Sequence, residues 1–217
     1  MSNRPAIISV EGNIGAGKTT LLEKIEAKLK ESGKTHIVVL REPVDIWSQI
    51  RDPHTNETIL QKFYQDVPKY AFPFQVMAFN TRLMELKRII RENPECNVIL
   101  CERSLSADGN IFAKMLHDDG AIDPICYNIY KQMYESAICE FPLDKIIYLN
   151  PGPEICRERI TMRGREGEES ISIDYLKRCH DYHEKWMENS NIPVVPLDTN
   201  NLEELDNYIE TLMNIEK

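Results

Sequence analysis

AIISVEGNIGAGKTTLLEKI (residues 6–25) begins as an apolar, β-branched run, breaks into a glycine-rich turn, and resumes as a helical pattern. The turn GNIGAGKTT (12–20) fits GxxxxGK[ST], and it stands where that pattern has physical meaning, after a strand and before a helix. Gly12, Gly15 and Gly17 let the backbone curl so that its N–H groups point inward at phosphate oxygens, with Asn13, Ile14, Ala16 and Thr20 completing the cradle. The helix that follows adds its N-terminal dipole, Lys18 reaches the β- and γ-phosphates, and Thr19 offers a hydroxyl to Mg²⁺. The stretch implies a nucleoside triphosphate site.

Further short apolar runs follow at 36–42, 97–102, 144–150 and 192–198. Most are apolar through their centres rather than alternating, as expected of strands covered on both faces. Amphipathic segments separate them, such as TTLLEKIEAKLKES (19–32), which places Leu22, Ile25 and Leu29 on one stripe and stops at Gly33. Strand and helix in alternation predict an α/β protein: a P-loop NTPase-type three-layer fold with a five-stranded parallel sheet and helices on both faces. No repeat or flexible linker interrupts residues 1–217, so one domain is expected. In such sheets ligands bind beyond the carboxyl ends of the strands. Those ends carry Glu11, Glu42, Glu102-Arg103, Asn150 and Asp198.

The composition, 42% apolar and 28% charged, is that of an ordinary globular protein. A net charge of −9 argues against a nucleic-acid partner while leaving room for a local basic nucleotide site. Six cysteines form no CxxC pair and read as reduced thiols in a cytoplasmic setting. The first eleven residues run directly into a strand, so no leader is expected, and no apolar stretch approaches the length of a membrane span. A guanine-reading NKxD element is absent, as is the apolar strand ending in two acids that motor-type ATPases use. Small-molecule phosphotransfer is the class that remains.

Three segments together, GNIGAGKTT, EPVDIW (42–47) and ERSLSADGNIF (102–112), resemble the deoxynucleoside kinase family, and RITMRGREGEES (159–170) matches that family's lid in order and spacing. The resemblance spans nearly the whole chain and is greatest to the deoxycytidine and deoxyguanosine kinase branch. It implies ATP as donor, Mg²⁺ as cofactor, and transfer to the 5′-hydroxyl of a deoxynucleoside. By the same resemblance Glu42 accepts the 5′-hydroxyl proton, Arg103 bridges that oxygen and the moving phosphoryl group, and Glu102 joins Thr19 at the metal. Arg159 lies against adenine, Arg163 and Arg165 contact phosphates, and Asp198 and Asn200 border the donor base. Tyr64 and Glu168 share the sugar 3′-hydroxyl, and Gln75 reads the base edge. Trp47, Phe74 and Phe112, with Ile14, Leu60 and Phe63, form the base pocket.

Spacing agrees with several of these roles. Gln75 and Arg82 are seven residues apart, two turns along one helix face, and Arg159 and Arg163 are four apart. In the deoxycytidine/deoxyguanosine branch an Arg and an Asp occupy the positions of Arg82 and Asp108 and pair beside the base. Thymidine-preferring relatives have small or apolar residues there. The resemblance thus favours deoxycytidine, deoxyadenosine or deoxyguanosine over thymidine. One departure stands out: Ala107-Asp108-Gly109 replaces the family's frequent Ser-Asp-Arg, which alters the support expected around Asp108.

Two other readings use the same motifs. A nucleoside monophosphate kinase shares sheet, loop and lid but needs extra cations around an acceptor phosphate. A catalytically silent P-loop scaffold needs none of Lys18, Glu42 or Arg103. Relatives are homodimers through a helix pair, and Ile125, Ile129 and Met133 lie near one stripe of segment 122–138, where core burial would serve equally well.

Overall fold

The computed structural model describes residues 4–198 and 202–213. Five parallel strands, β1 (Ala6–Gly12), β2 (Ile37–Leu40), β3 (Val98–Glu102), β4 (Lys145–Leu149) and β5 (Val194–Leu197), form one sheet in the order β2-β3-β1-β4-β5. The doubly covered sheet expected from the apolar strand centres is present. Ile8 and Val10 of β1, Val98 and Leu100 of β3 and Ile147 and Leu149 of β4 pack on one side with α1 (Lys18–Ser32). Ile7, Ile99 and Cys101 turn to the other side. Alternation along each strand therefore feeds two cores.

On that second side, after α2 (Val44–Gln49) and α3 (Ile59–Gln65), runs α4 (Val67–Glu92), a 26-residue helix that continues through Pro73. Beyond β3 the chain forms a short α5 (Leu105–Ala107), a π-helical turn over Asp108–Ala113, and α6 (Lys114–Asp118). Next comes α7 (Pro124–Glu140), whose Tyr130 and Ala137 pack with Phe79 and Leu86 of α4. The remaining helices are α8 (Pro153–Arg163), α9 (Ile173–Asn189) and α10 (Leu202–Met213).

Strand boundaries are tighter than the sequence suggested. β2 stops at Leu40, so Glu42 lies two residues past the strand, in a turn where its carbonyl accepts the Val44 N–H at 2.8 Å. Among the described residues no helix is long and apolar enough to cross a membrane.

Candidate active site

A cavity of about 840 Å³ opens where the first three strands end, walled by the glycine-rich loop, the turn after β2, the turn after β3, and α3, α4 and α8. At its floor, Lys18 donates through Nζ to the carbonyls of Gly12 (3.1 Å) and Asn13 (2.8 Å). Burial, seconded by Arg103, lowers its pKa from 10.5 to about 8, against the pull of Glu42, Glu102 and Glu11. Gly15 takes φ +80°, and a Cβ there would stand 2.5 Å from the Cys156 carbonyl oxygen. The loop can therefore press against α8 only with glycine at this position.

Thr19 Oγ1 donates to Glu102 Oε1 at 2.5 Å beside Lys18. Two hard oxygen groups at the mouth of a phosphate loop suit Mg²⁺, which takes few protein ligands and fills its shell with phosphate oxygens and water. Among the described residues no group of three or more His, Cys, Asp or Glu could hold a metal unaided. The donor set fits a Mg²⁺ that arrives with the triphosphate.

Across from this pair, Glu42 Oε1 receives Arg103 Nε (3.3 Å) and Arg82 Nη2 (3.1 Å). Burial works against its charge, but Arg103, Arg82 and Lys18 outweigh it and bring the carboxyl down to about 2. Arg103 adopts φ +65°, unusual for a side chain with a Cβ. Its Nη2 donates to the Gly12 carbonyl at 3.3 Å, its guanidinium lies 4.5 Å from the Phe112 ring centre, and its Nη1 is buried with no hydrogen-bond partner. A buried, unpaired guanidinium N–H is costly to leave unmade, and an incoming oxygen would satisfy it.

Arg82 lies one heptad beyond Gln75 on α4, and both are buried at the cavity wall. Its guanidinium pairs with Asp108 (Nε to Oδ2 2.9 Å, Nη2 to Oδ1 3.4 Å) and donates through Nη1 to the Glu102 carbonyl at 3.1 Å. The contact with Glu42 could not be read from sequence, because it joins a helix to a loop 40 residues away. Beside this network stands an aromatic wall. Phe63 stacks on Phe74 (centroids 4.7 Å apart, 13°), and Trp47 meets Phe74 edge-on at 5.7 Å. Ile14, Leu60 and Phe112 also face the cavity.

Tyr64 crosses Tyr175 edge-to-face at 5.8 Å, and both line the cavity. Burial, then the nearby Glu168 and Glu42 carboxylates, push the Tyr64 phenol well above its usual pKa, which keeps its proton available to donate. Tyr175 escaped the sequence reading. It sits on an amphipathic helix whose aromatic residues read as core, and nothing in the pattern separates it from Tyr182 or Trp186.

The lid arginines meet the same cavity. Arg159 Nη1 donates to the Ala16 carbonyl at 3.0 Å. Arg163 ends α8, and Arg165 follows Gly164; both hold the buried Glu168, at 2.5 Å (Nη2 to Oε2) and 3.3 Å (Nη1 to Oε1). The residue proposed for the sugar and those proposed for phosphate thus grip one another.

Several expected positions lie elsewhere. Gly12, Asn13 and Ala16 stand behind the cavity surface, and the Asn13 amide donates to the Leu176 carbonyl at 2.8 Å, tying the loop to α9. Glu11 and Asn150, at strand ends, do not line the cavity. Glu11 bonds Ser104, and Asn150 bonds Glu184. Asp198 is exposed and likewise not at the cavity wall, and Asn200 lies outside the described residues. Gly109 has a physical cause: a Cβ there would lie 2.4 Å from the Tyr134 ring, so the family's arginine has no room. Among the described residues the Asp108 carboxylate pairs with Arg82.

A model of the deoxynucleoside kinase family matches residues 8–217. A fowlpox virus protein named "Probable deoxycytidine kinase" is 40% identical over 187 residues, covering 85% of this chain and 72% of that protein. A chicken protein, deoxycytidine kinase 2, is 33% identical over 89% of this chain and 82% of its own length. The mitochondrial deoxyguanosine kinase of Xenopus laevis is 29% identical over 97% and 81%.

Proposed function

The chain belongs to the deoxynucleoside kinase family, and from that premise we propose that it transfers the γ-phosphoryl group of ATP to the 5′-hydroxyl of deoxycytidine, deoxyadenosine or deoxyguanosine in nucleotide salvage. The observation that carries this reading is Glu42, a carboxylate kept ionised between Arg103 and Arg82 beside the phosphate loop. A group with a pKa of about 2 cannot strip an alcohol in the ground state. It takes the proton late, as the new P–O bond forms in a loose transition state where positioning and charge compensation do most of the catalysis. The 5′-oxygen bonds to phosphorus, the bond to the bridging oxygen of ADP breaks, and the proton passes to Glu42.

Arg103 suits this step because its free Nη1 can meet the transferring phosphoryl oxygens while Nε keeps Glu42 in line. Lys18 and the lid arginines neutralise the triphosphate, and Thr19 and Glu102 would hold Mg²⁺, which supplies further charge compensation when bound. On the acceptor side Tyr64 and Glu168 take the sugar, Gln75 takes the base edge, and the aromatic wall sandwiches the ring. The buried Arg82–Asp108 pair supports exclusion of thymidine, since its charge occupies the space that a 5-methyl group would need.

A homodimer through α7 belongs to this reading, supported by Ile125 and Ile129, which are 74% and 48% exposed, whereas Met133 is partly buried against the core. Six cysteines with no CxxC pair support a reducing, cytoplasmic setting. The reading also takes residues 1–217 as one domain, without a nucleic-acid or membrane partner. Glu42→Gln tests the mechanism. It should bind ATP and deoxynucleoside with little change and lower kcat by about 10²–10⁴-fold, the usual worth of a general base. A near-normal kcat would remove Glu42 from its role.

A further inference from the structure

Glu11 is a fully buried acid that does not line the cavity, and the chemistry above makes no use of it. A carboxylate in such a place is costly unless its oxygens are satisfied by something specific. Here Oε1 accepts both the Ser104 N–H (2.9 Å) and the Ser104 hydroxyl (2.6 Å), while Oε2 is buried with no hydrogen-bond partner and burial raises the pKa of the group. The same hydroxyl accepts the Ala107 N–H at 3.1 Å and so starts the turn that leads to Asp108.

Ser104 directly follows Arg103, whose backbone is left-handed. A non-glycine residue in that region is strained and persists only where its surroundings over-determine it. Three consecutive residues of β1 do so. The Val10 carbonyl accepts the Arg103 N–H at 3.1 Å, Glu11 anchors the next residue, and the Gly12 carbonyl accepts Arg103 Nη2 at 3.3 Å. The Gly12 carbonyl also receives Lys18. The floor of the phosphate loop and the catalytic arginine thus hang from one short piece of strand.

The geometry points to Glu11 as a positioning residue that locks Arg103 in its left-handed turn through Ser104. Glu11 touches no reacting atom. It acts by fixing where the guanidinium stands relative to Glu42 and the transferred phosphoryl group. This inference rests on the proposed role of Arg103, and its test separates the two.

Kinetics with ATP, Mg²⁺ and deoxycytidine are measured for Glu11→Ala, Arg103→Ala and the double variant, each verified as folded by thermal denaturation. Glu11→Ala should lower kcat about 10–100-fold with both KM values within about threefold, as for a misplaced transition-state group. Glu11→Gln keeps an acceptor oxygen and should stay within about threefold of the parent. In the Arg103→Ala background the Glu11→Ala loss should shrink to less than about twofold, because the group it positions is gone. An equal loss in both backgrounds overturns the inference. So does an unimpaired Glu11→Ala beside a crippled Arg103→Ala, while the catalytic reading survives. Near-normal kcat in Arg103→Ala alone overturns both. Should Glu11→Ala not fold, Ser104→Ala cuts the link from the other side, and its expected loss of about 3–10-fold must likewise vanish without Arg103; a loss that persists overturns the inference.

Discussion

Arg82 Nη2 stands 3.1 Å from Glu42 Oε1, so the arginine that we assign to base choice also touches the carboxylate that we assign to proton transfer. The same guanidinium pairs with Asp108 at 2.9 Å, and all three side chains are largely withdrawn from water. On these assignments base selection and chemistry are coupled through one cation. Arg82→Met should lower kcat with deoxycytidine by about tenfold or more even where the base still fits, since Glu42 loses one of the two arginines that keep it ionised and aligned. It also strands Asp108 without its partner, a loss of about 3–5 kcal/mol that thermal denaturation would read. Adding Asp108→Ala should restore part of that stability and raise the thymidine-to-deoxycytidine ratio of kcat/KM by about tenfold or more. An unchanged ratio would show that the pair does not choose the base.

Much of this was legible because it is local. The phosphate loop needs only glycines, lysine and threonine in order, and the strand centres announce themselves by being apolar throughout. The seven-residue step from Gln75 to Arg82 put both on one face of α4, and both are buried at the cavity. Other features depend on tertiary contacts that no spacing encodes. Glu42 meets Arg82 across 40 residues, and Glu11 meets Ser104 across 93. Pro73 suggests a break, yet α4 runs on through it. Gly109 looked like a lost arginine until Tyr134, from α7, was found filling its side-chain space. Asn13 belongs to the loop motif by position but turns its amide to α9.

Lys18 gives the site a pH dependence of definite sign. Burial lowers its pKa to about 8, so in the ligand-free protein the ammonium form is present below that pH and is lost above it. Triphosphate binding favours the charged form and so draws a proton onto the lysine at alkaline pH. The ATP dissociation constant should rise above pH 8 at a slope approaching about tenfold per pH unit, measured by isothermal titration calorimetry. A constant affinity between pH 8 and 9.5 would place the lysine pKa well above that range.

Glu168 holds Arg163 and Arg165, two cations that we assign to the triphosphate. Replacing it by Gln removes the charge that competes for them while weakening the contact proposed for the sugar 3′-hydroxyl. Glu168→Gln should therefore lower KM for ATP about two- to tenfold and raise KM for the deoxynucleoside by a similar factor, on the scale of single charged hydrogen bonds. Steady-state kinetics with each substrate varied in turn checks this. Movement of both constants in the same direction would show that Glu168 does not stand between the two substrates.

The central claim is that the acceptor is a nucleoside rather than its monophosphate, and the site's charge supports it: Glu42 carries a full negative charge where an acceptor phosphate would have to approach. The most direct measurement incubates the protein with ATP and Mg²⁺ against deoxycytidine, deoxyadenosine, deoxyguanosine, thymidine and the four corresponding 5′-monophosphates, with products separated chromatographically. The account predicts 5′-monophosphates from the first three nucleosides, little from thymidine, and no diphosphates. Diphosphates formed from the monophosphates, with all four nucleosides left untouched, would contradict it.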